Sequence, residues 1–203
     1  MATFDPVLGD LALLPTILEN EVKALGFEGR ARYLTGRLGR TGFQAFAARL
    51  SDRARRSLLD PPLASAWVNF APMLEIDRAI ISELMGGDPA QFKTMAMDVA
   101  RADVASVYQF VLRLAGPSLV LKRLSVTYSA RVRPGTLVAE QLTDKSAVGR
   151  LVGGVIPWYT CEYNVAGWIA VGLELTGAKD IEVRQTHCRH RGDDGCRWSV
   201  RWR

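Results

Sequence analysis

All three cysteines of this chain lie in its last third, within a segment patterned as one helix followed by two strands. Apolar residues at three- and four-residue steps predict a helix over Tyr159–Leu175, and Gly177 is placed to end it as a C-cap. Apolar and charged residues alternate over Ile181–Arg184 and again over Arg197–Trp202, which predicts two strands. The polar, glycine-bearing stretch between them predicts the loop of a hairpin.

The cysteine spacing of this unit resembles the end of the 4-vinyl-reductase-like superfamily, on the strength of Cys161, then Cys188-x7-Cys196, then strands that end in aromatic residues. That group includes small-molecule sensor domains of bacterial phenol-responsive activators. It shares a fold with NO-sensing domains and with TRAPP vesicle-tethering subunits. The resemblance implies a zinc ion held by a cysteine on the helix and by Glu-x2-Cys-x7-Cys on the hairpin. Gln185 stands here where the family has the glutamate.

Carried over to this chain, the resemblance gives Cys161, Cys188 and Cys196 as zinc ligands. A neutral glutamine is a poor zinc ligand, whereas the imidazole of His187 or His190 suits the metal. We predict a structural zinc with His187 as its fourth ligand. Two alternatives stay open, namely three reduced thiols and a Cys188–Cys196 disulfide.

A second resemblance covers nearly the whole chain. Its length and layout, with the ending Leu173–Val183 and then Val200–Arg203, are similar to those of uncharacterised myxobacterial proteins that are distant relatives of the same fold. This resemblance implies the fold of the protein but does not imply an activity.

The composition is that of an ordinary globular protein with ample material for a core. The chain has 203 residues, of which 48% are hydrophobic and 23% charged, and it fits a single domain over 1–203 with an N-terminal helical extension. It opens without a signal peptide, and no apolar stretch approaches the roughly 20 residues that span a bilayer. We therefore expect no transmembrane segment and a cytoplasmic location, where thiols stay reduced.

Helical patterns come first along the chain, and strand patterns come later. The predicted helices are Asp10–Leu25, Phe43–Leu58, Met73–Leu84, Asp88–Leu114 and Leu119–Tyr128. Glycines at every third position predict a loop over Gly29–Gly42, with a phosphate cradle as the weaker alternative. A strand pair is predicted over Thr136–Leu142 and Ala147–Val152. This order predicts an α+β fold: helices first, then a small antiparallel sheet with one intervening helix, like the 4-vinyl-reductase and TRAPP-subunit folds.

The net charge of +5 is unevenly spread, because arginines concentrate over residues 30–56 and 184–203. Such clusters can attract nucleic acid or an acidic partner, but they also occur as solvated helix faces. No helix-turn-helix or aromatic-interleaved basic motif accompanies them. We expect no nucleic-acid partner.

Aromatic residues are numerous enough to line an apolar pocket, as in the sensors of the superfamily, although they could equally form a solid core. From this set we predict four ligand-binding residues, Trp67, Tyr108, Tyr128 and Trp158.

The sequence shows no nucleophile–base pair, phosphate loop or cofactor loop, so we expect that the protein is not an enzyme. The leading hypothesis is a sensing or regulatory module that binds a small apolar ligand, forms a homodimer and signals by contact with another protein. The alternative is a TRAPP-like interaction scaffold with a filled core. A cavity of a few hundred Å³ would distinguish the two.

Overall fold

The computed structural model describes residues 4–104, 114 and 116–203. Helices dominate the first part of the chain, and an antiparallel sheet with one helix among its strands forms the last part. The predicted α+β class is therefore confirmed.

The helices range from one turn to about seven turns. They are α1 Leu14–Leu18, α2 Leu25–Ala48, α3 Asp52–Leu59, α4 Ala71–Leu84, α5 Phe92–Asp103, α6 Leu124–Ser129 and α7 Val165–Glu174. Residues 116–122 are also helical. A π-helical turn, Thr160–Asn164, leads directly into α7. The 3-10 turns are Leu11–Leu13, Pro89–Gln91 and Arg189–Arg191.

Nine strands form three antiparallel sheets in the part of the chain that the structure describes. They are β1 Phe4–Asp5, β2 Gly9–Asp10, β3 Glu21–Lys23, β4 Trp67–Asn69, β5 Val132–Arg133, β6 Thr136–Glu140, β7 Ser146–Val152, β8 Glu182–His187 and β9 Cys196–Arg201. The largest sheet has the order β6-β7-β9-β8, and β3 lies between β4 and β5 in the second. The predicted strand pair and C-terminal hairpin are both present in the largest sheet.

The loop predicted over Gly29–Gly42 is wrong, because this stretch forms the middle of α2. At Gly29 the missing side chain allows close packing between helices. A Cβ on Gly29 would lie 2.7 Å from Cγ1 of Val99, closer than real side chains approach. Only Gly39 departs from helical angles within α2, with φ +68°, and it marks a kink.

Two predicted helix boundaries also need correction. The helix predicted over Asp10–Leu25 breaks after Leu18, and β3 follows it, pairing with both β4 and β5. The helix predicted over Phe43–Leu58 is divided at Ser51, whose hydroxyl accepts from the Ala54 amide and so caps α3. Strand pairing overrides the helical periodicity in the first case, and a side-chain cap overrides it in the second.

The later helices agree with the sequence more closely. Met73–Leu84 lies within α4, and the Asp88 carboxylate caps the turn that leads into α5, accepting from the Ala90 amide at 3.0 Å. The helix predicted over Asp88–Leu114 is observed as far as Asp103, and residues 105–113 lie outside the described part. The helix predicted over Leu119–Tyr128 is interrupted by a turn at Arg123.

Two hydrophobic clusters form the interior. The first, called here the helical core, joins α2, α3, α4 and α5, with Phe27, Leu34 and Ile76 fully enclosed. The second, called the sheet core, packs α7 against the four-stranded sheet and encloses Leu173 and Trp198. Burial of these apolar side chains is the main stabilising term in each half.

A buried ion pair ties the helical core to the segment that precedes α7. Arg30 on α2 binds Asp77 on α4 through two hydrogen bonds of 2.7 Å, and the Tyr159 hydroxyl donates to the same carboxylate at 2.7 Å. Asp77 and Tyr159 have no solvent exposure. Burial alone would lower the pKa of Arg30, but the charge of Asp77 and its hydrogen bonds outweigh that effect and raise it.

No helix in the described ranges is both long and apolar enough to cross a membrane. The expected absence of a transmembrane helix holds for those residues.

Replacing Asp77 with alanine leaves the Arg30 guanidinium buried without its counter-charge. We expect the free energy of unfolding to fall by roughly 3–5 kcal/mol, measured by urea denaturation. The control is Asp98→Ala, since Asp98 pairs with Arg101 on the exposed surface and its loss should cost less than about 1 kcal/mol. Equal effects of the two substitutions would contradict the role given to the buried pair.

Candidate functional site

The three cysteines converge at the junction of helix and hairpin. Cys161 lies in the π-helical turn before α7, and Cys188 and Cys196 stand at the two ends of the hairpin loop. All three are buried free thiols, and their sulfur atoms lie within 4.8 Å of one another. We call this group the cysteine cluster.

Hydrogen bonds within the hairpin loop fix the position of Cys188. The Cys188 amide donates to the Asp193 carboxylate at 2.7 Å, and the Asp193 amide donates back to the Cys188 carbonyl at 3.2 Å. Gly192 makes the turn with φ +88°, a conformation that favours glycine. Arg191 then joins the loop to the helical segment through an ion pair with Glu162 at 2.6 Å.

A β-bulge decides which side chains of β8 face the cluster. Gln185 pairs with Trp198, but the next pairing joins His187 to Arg197, so β8 contains one extra residue at this point. A one-residue shift exchanges the two faces of a strand. Cys188 therefore turns inward, whereas His187 lies outside the cysteine cluster, with its Nδ1 3.1 Å from the Thr186 hydroxyl. The structure thus brings together three of the four predicted metal ligands.

His190 is buried nearby, but both of its ring nitrogens are engaged. Its Nδ1 accepts from the Asp10 amide at 3.1 Å, and its Nε2 lies 2.7 Å from the Ile156 carbonyl. Gly9 packs so closely on the ring that a Cβ there would lie 2.4 Å from Nδ1. His190 therefore fastens the N-terminal β1–β2 hairpin to the C-terminal one and offers no free nitrogen to a metal.

The Gln185 amide lies against the cysteine cluster. Its Nε2 is 2.7 Å from the Cys161 sulfur, and its Oε1 is buried without a hydrogen-bond partner among the described residues. The two ends of an amide are exchanged by a simple flip. The flipped form places the amide oxygen beside the Cys161 sulfur.

The three thiols interact strongly with one another. Hydrogen bonds from Cys161 and Cys196 lower the pKa of Cys188, whereas burial raises the pKa of Cys161 well above its usual value. Three sulfurs in this arrangement suit a soft divalent ion such as zinc. In a tetrahedral site with Zn–S bonds near 2.3 Å, two sulfur ligands lie about 3.8 Å apart.

A cavity of about 310 Å³ lies where the helical core meets the sheet core. Val22, Phe70 and Met73 line it from the first, and Leu137 and Ile169 from the second. Thr160 and Asn164 also line it, and both belong to the π-helical turn that carries Cys161. The cavity and the cysteine cluster thus share one structural element.

Two buried polar atoms of the cavity wall have no hydrogen-bond partner in the described part of the chain, the hydroxyl of Tyr128 and Oδ1 of Asn20. Burial raises the pKa of Tyr128, and the neighbouring Cys161 and Cys196 raise it further, so its hydroxyl stays protonated. Unsatisfied buried polar atoms of this kind are unusual in folded proteins. They provide positions at which a bound molecule can donate or accept a hydrogen bond.

Of the four aromatic residues predicted to bind a ligand, Tyr128 lines the cavity. Trp67 packs elsewhere, between Lys23 and Arg133, whose cationic groups lie 4.1 and 4.3 Å from its ring centroid. Trp158 stacks edge-on against Phe4 and Tyr163. Tyr108 lies outside the described residues.

Three further residues line the cavity: Trp168, an aromatic residue of the sequence that was not among the four predicted, and the charged residues Arg131 and Asp103, which the sequence interpretation missed. The helical spacing of Trp168 within α7 was visible in the sequence. Nothing in that spacing showed whether the side chain faces a solid core or a cavity. Arg131 and Asp103 are separated by more than 25 positions and are joined only in the fold, by an ion pair of 3.3 Å.

The architecture of helices followed by an antiparallel sheet is that of H-NOX proteins. No protein-family model matches the chain, and no curated protein matches it. Solved H-NOX structures do match it in shape, at sequence identities of 11–13%. The resemblance to a fold shared with NO-sensing domains is thereby confirmed for the fold.

Three of these structures illustrate the match. The Fe(II) unliganded H-NOX protein from K. algicida superposes with a TM-score of 0.65 at 12% identity, over 89% of this chain and 96% of its own. A mutant H-NOX domain from Shewanella oneidensis in the Fe(II)CO ligation state gives 0.67 at 11% identity, over 89% and 98%. An S. oneidensis H-NOX protein in the Fe(II)NO state gives 0.57 at 12%, over 89% and 99%.

The iron named for those structures raises the question whether this cavity could hold a haem iron. Haem iron is bound in proteins by His, Cys, Met or Tyr side chains. The chain has two histidines, and both lie on the C-terminal hairpin rather than in the cavity wall. Its three cysteines converge on one another. A haem group with a histidine or cysteine ligand therefore does not fit the described wall of this cavity.

The free thiols give a direct test of the disulfide alternative. Protein unfolded in denaturant with a chelator and without reductant should show three reactive thiols per chain with Ellman's reagent. A Cys188–Cys196 disulfide would leave one. In the folded protein all three should react slowly, because they are buried.

Proposed function

We propose that this protein is a sensing module that binds a small apolar molecule in its internal cavity and acts by contact with another protein. The cavity of about 310 Å³ between the two cores is the observation that carries the proposal. Its size falls at the lower end of the range for ligand pockets, and its wall is mostly apolar with a few polar groups, as in such pockets.

The position of the cavity supports a signalling role. Its wall is built from both the helical core and the sheet core, so a bound molecule contacts both halves at once. A ligand that prefers one arrangement of the halves shifts the population toward that arrangement. Such a shift changes the outer surface, which a partner protein can recognise.

The cavity favours the sensor over the alternative of an interaction scaffold with a filled core. Binding is also favoured over turnover, because no nucleophile with a neighbouring free base lines the cavity in the described ranges. His190, the buried histidine of the hairpin, has both ring nitrogens engaged. Homodimer formation, a protein partner and a cytoplasmic location remain predictions from the sequence.

Filling the cavity should abolish ligand binding without unfolding the protein. Gly172 on α7 lines the cavity, and Gly172→Leu places a side chain inside it. A thermal-shift screen of phenols, fatty acids and tetrapyrroles should find a compound that stabilises the unmodified protein by about 2.7 kcal/mol at a hundredfold excess over its Kd, or roughly 5–10 °C in Tm. That shift should disappear in Gly172→Leu.

The matched control is Gly36→Leu, the same change in a helix, at an exposed position with open space around it. This variant should keep the full ligand response. If no compound stabilises the protein, or if both variants respond equally, the sensor proposal fails and the scaffold takes its place.

We also propose that the cysteine cluster holds a structural zinc ion, with Gln185 rather than His187 nearest to the fourth position. Three buried sulfurs within 4.8 Å and an adjacent amide support this assignment. The ion would fasten the hairpin to the helical segment that also lines the cavity. Binding would release protons from the thiols, so the affinity should fall as the pH falls.

Protein purified without added metal should contain about one zinc per chain by elemental analysis. Cys188→Ser should lose the metal and lower the Tm, because the binding energy of a structural site is also folding energy. Gln185→Ala should weaken zinc binding more than His187→Ala, measured by competition with a chromogenic chelator. A metal content below about a tenth of an equivalent would contradict the assignment.

A further inference from the structure

The cavity wall contains more positively charged side chains than negatively charged ones. Among the described residues the wall contains three cationic side chains, Lys23, Arg30 and Arg131, and one anionic side chain, Asp103. Arg30 is neutralised by its buried partner Asp77, which it binds through two hydrogen bonds. The Lys23 ammonium lies over Trp67 and donates to the Ser65 carbonyl, and neither of these residues lines the cavity. Arg131 and Asp103 are the charged groups of the wall that remain.

That carboxylate is itself shared. Asp103 accepts from Arg32 at 2.7 Å through Oδ1 and from Arg131 at 3.3 Å through Oδ2. One negative charge cannot neutralise two guanidinium groups, and the longer contact is the one made by Arg131. Arg32 does not line the cavity, whereas Arg131 does. The uncompensated positive charge therefore lies at the cavity wall.

Arg131 is held in a fixed orientation with donors to spare. Its guanidinium stacks over Trp168 at 4.6 Å from the ring centroid, and Trp168 also lines the cavity. A guanidinium has five N–H donors in a rigid fork suited to a carboxylate. Among the described residues, one of these donors has a hydrogen-bond partner, through Nη1 to Asp103. The Arg131 side chain is 34% exposed, so the cavity is partly open to solvent beside it.

Most of the remaining cavity wall is apolar, and part of it is fully enclosed. Leu121, Leu137 and Ile169 line it, and each is at least 95% buried. The cavity thus combines a partly exposed guanidinium with a buried apolar wall. This polarity matches a molecule with a hydrophobic body and one anionic head.

We propose, resting on the sensing function proposed above, that the ligand is a small hydrophobic carboxylate whose head group binds Arg131 and whose apolar body fills the cavity. A charge-assisted bidentate contact with a guanidinium is stronger than a neutral hydrogen bond. The cavity therefore selects a carboxylate over a neutral molecule with the same hydrocarbon chain.

The test compares decanoate with decan-1-ol, which share a chain length and differ in head-group charge. By titration calorimetry at neutral pH, decanoate should bind the unmodified protein at least tenfold more tightly. Arg131→Gln should weaken decanoate binding about tenfold and leave decan-1-ol binding unchanged. The control Arg133→Gln removes an exposed arginine that pairs with Glu21 and does not line the cavity, and it should change neither affinity by more than about twofold.

A second variant keeps the test decisive if Arg131→Gln does not fold. Asp103→Asn removes the carboxylate that competes for Arg131, so decanoate should bind several-fold more tightly to it. Equal affinities for the two compounds, equal losses in both arginine variants, or no decanoate binding would each overturn the carboxylate assignment. The sensing function itself would fail only if the wider compound screen also yielded no stabiliser that depends on Gly172.

Discussion

The Arg30–Asp77 pair is the interaction on which the rest of the structure depends. A charged pair out of contact with water is tolerated only when its geometry is good and its other polar atoms are satisfied, and here Tyr159 supplies the additional hydrogen bond. The pair joins α2 to α4, and Tyr159 attaches both to the segment that carries Cys161. Because Asp77 neutralises Arg30, the Arg30 guanidinium adds no net charge to the cavity wall. The positive charge of the cavity wall therefore comes from Arg131.

Local patterns predicted the last third of the fold well and the first quarter poorly. The C-terminal hairpin and α7 follow from alternation and helical spacing, because each buries one well-defined face. The middle of α2 was misjudged because glycine normally weakens a helix interior. At Gly29 the lost helix propensity is offset by close contact with Val99. That contact exists only in the folded protein, so no local signal could reveal it.

The candidate site shows the same division. The three cysteines could be predicted to converge, because a hairpin brings the two ends of its loop together and the preceding helix packs on it. The position of His187 could not be predicted, because it depends on a single extra residue in β8 that exchanges the faces of the strand. The cavity was even less accessible to sequence reasoning. Its wall joins residues such as Lys23 and Gly172, which are far apart in the chain.

The bond between the Asp10 amide and His190 spans 180 positions of the chain. Closing so long a loop carries a high entropic cost, which must be met before the contact stabilises anything. The β1–β2 hairpin should therefore dock late in folding, after the C-terminal hairpin has formed the surface that receives it. During synthesis on the ribosome, the β1–β2 hairpin cannot make this contact until His190 has emerged. A segment that is synthesised early thus completes the fold late.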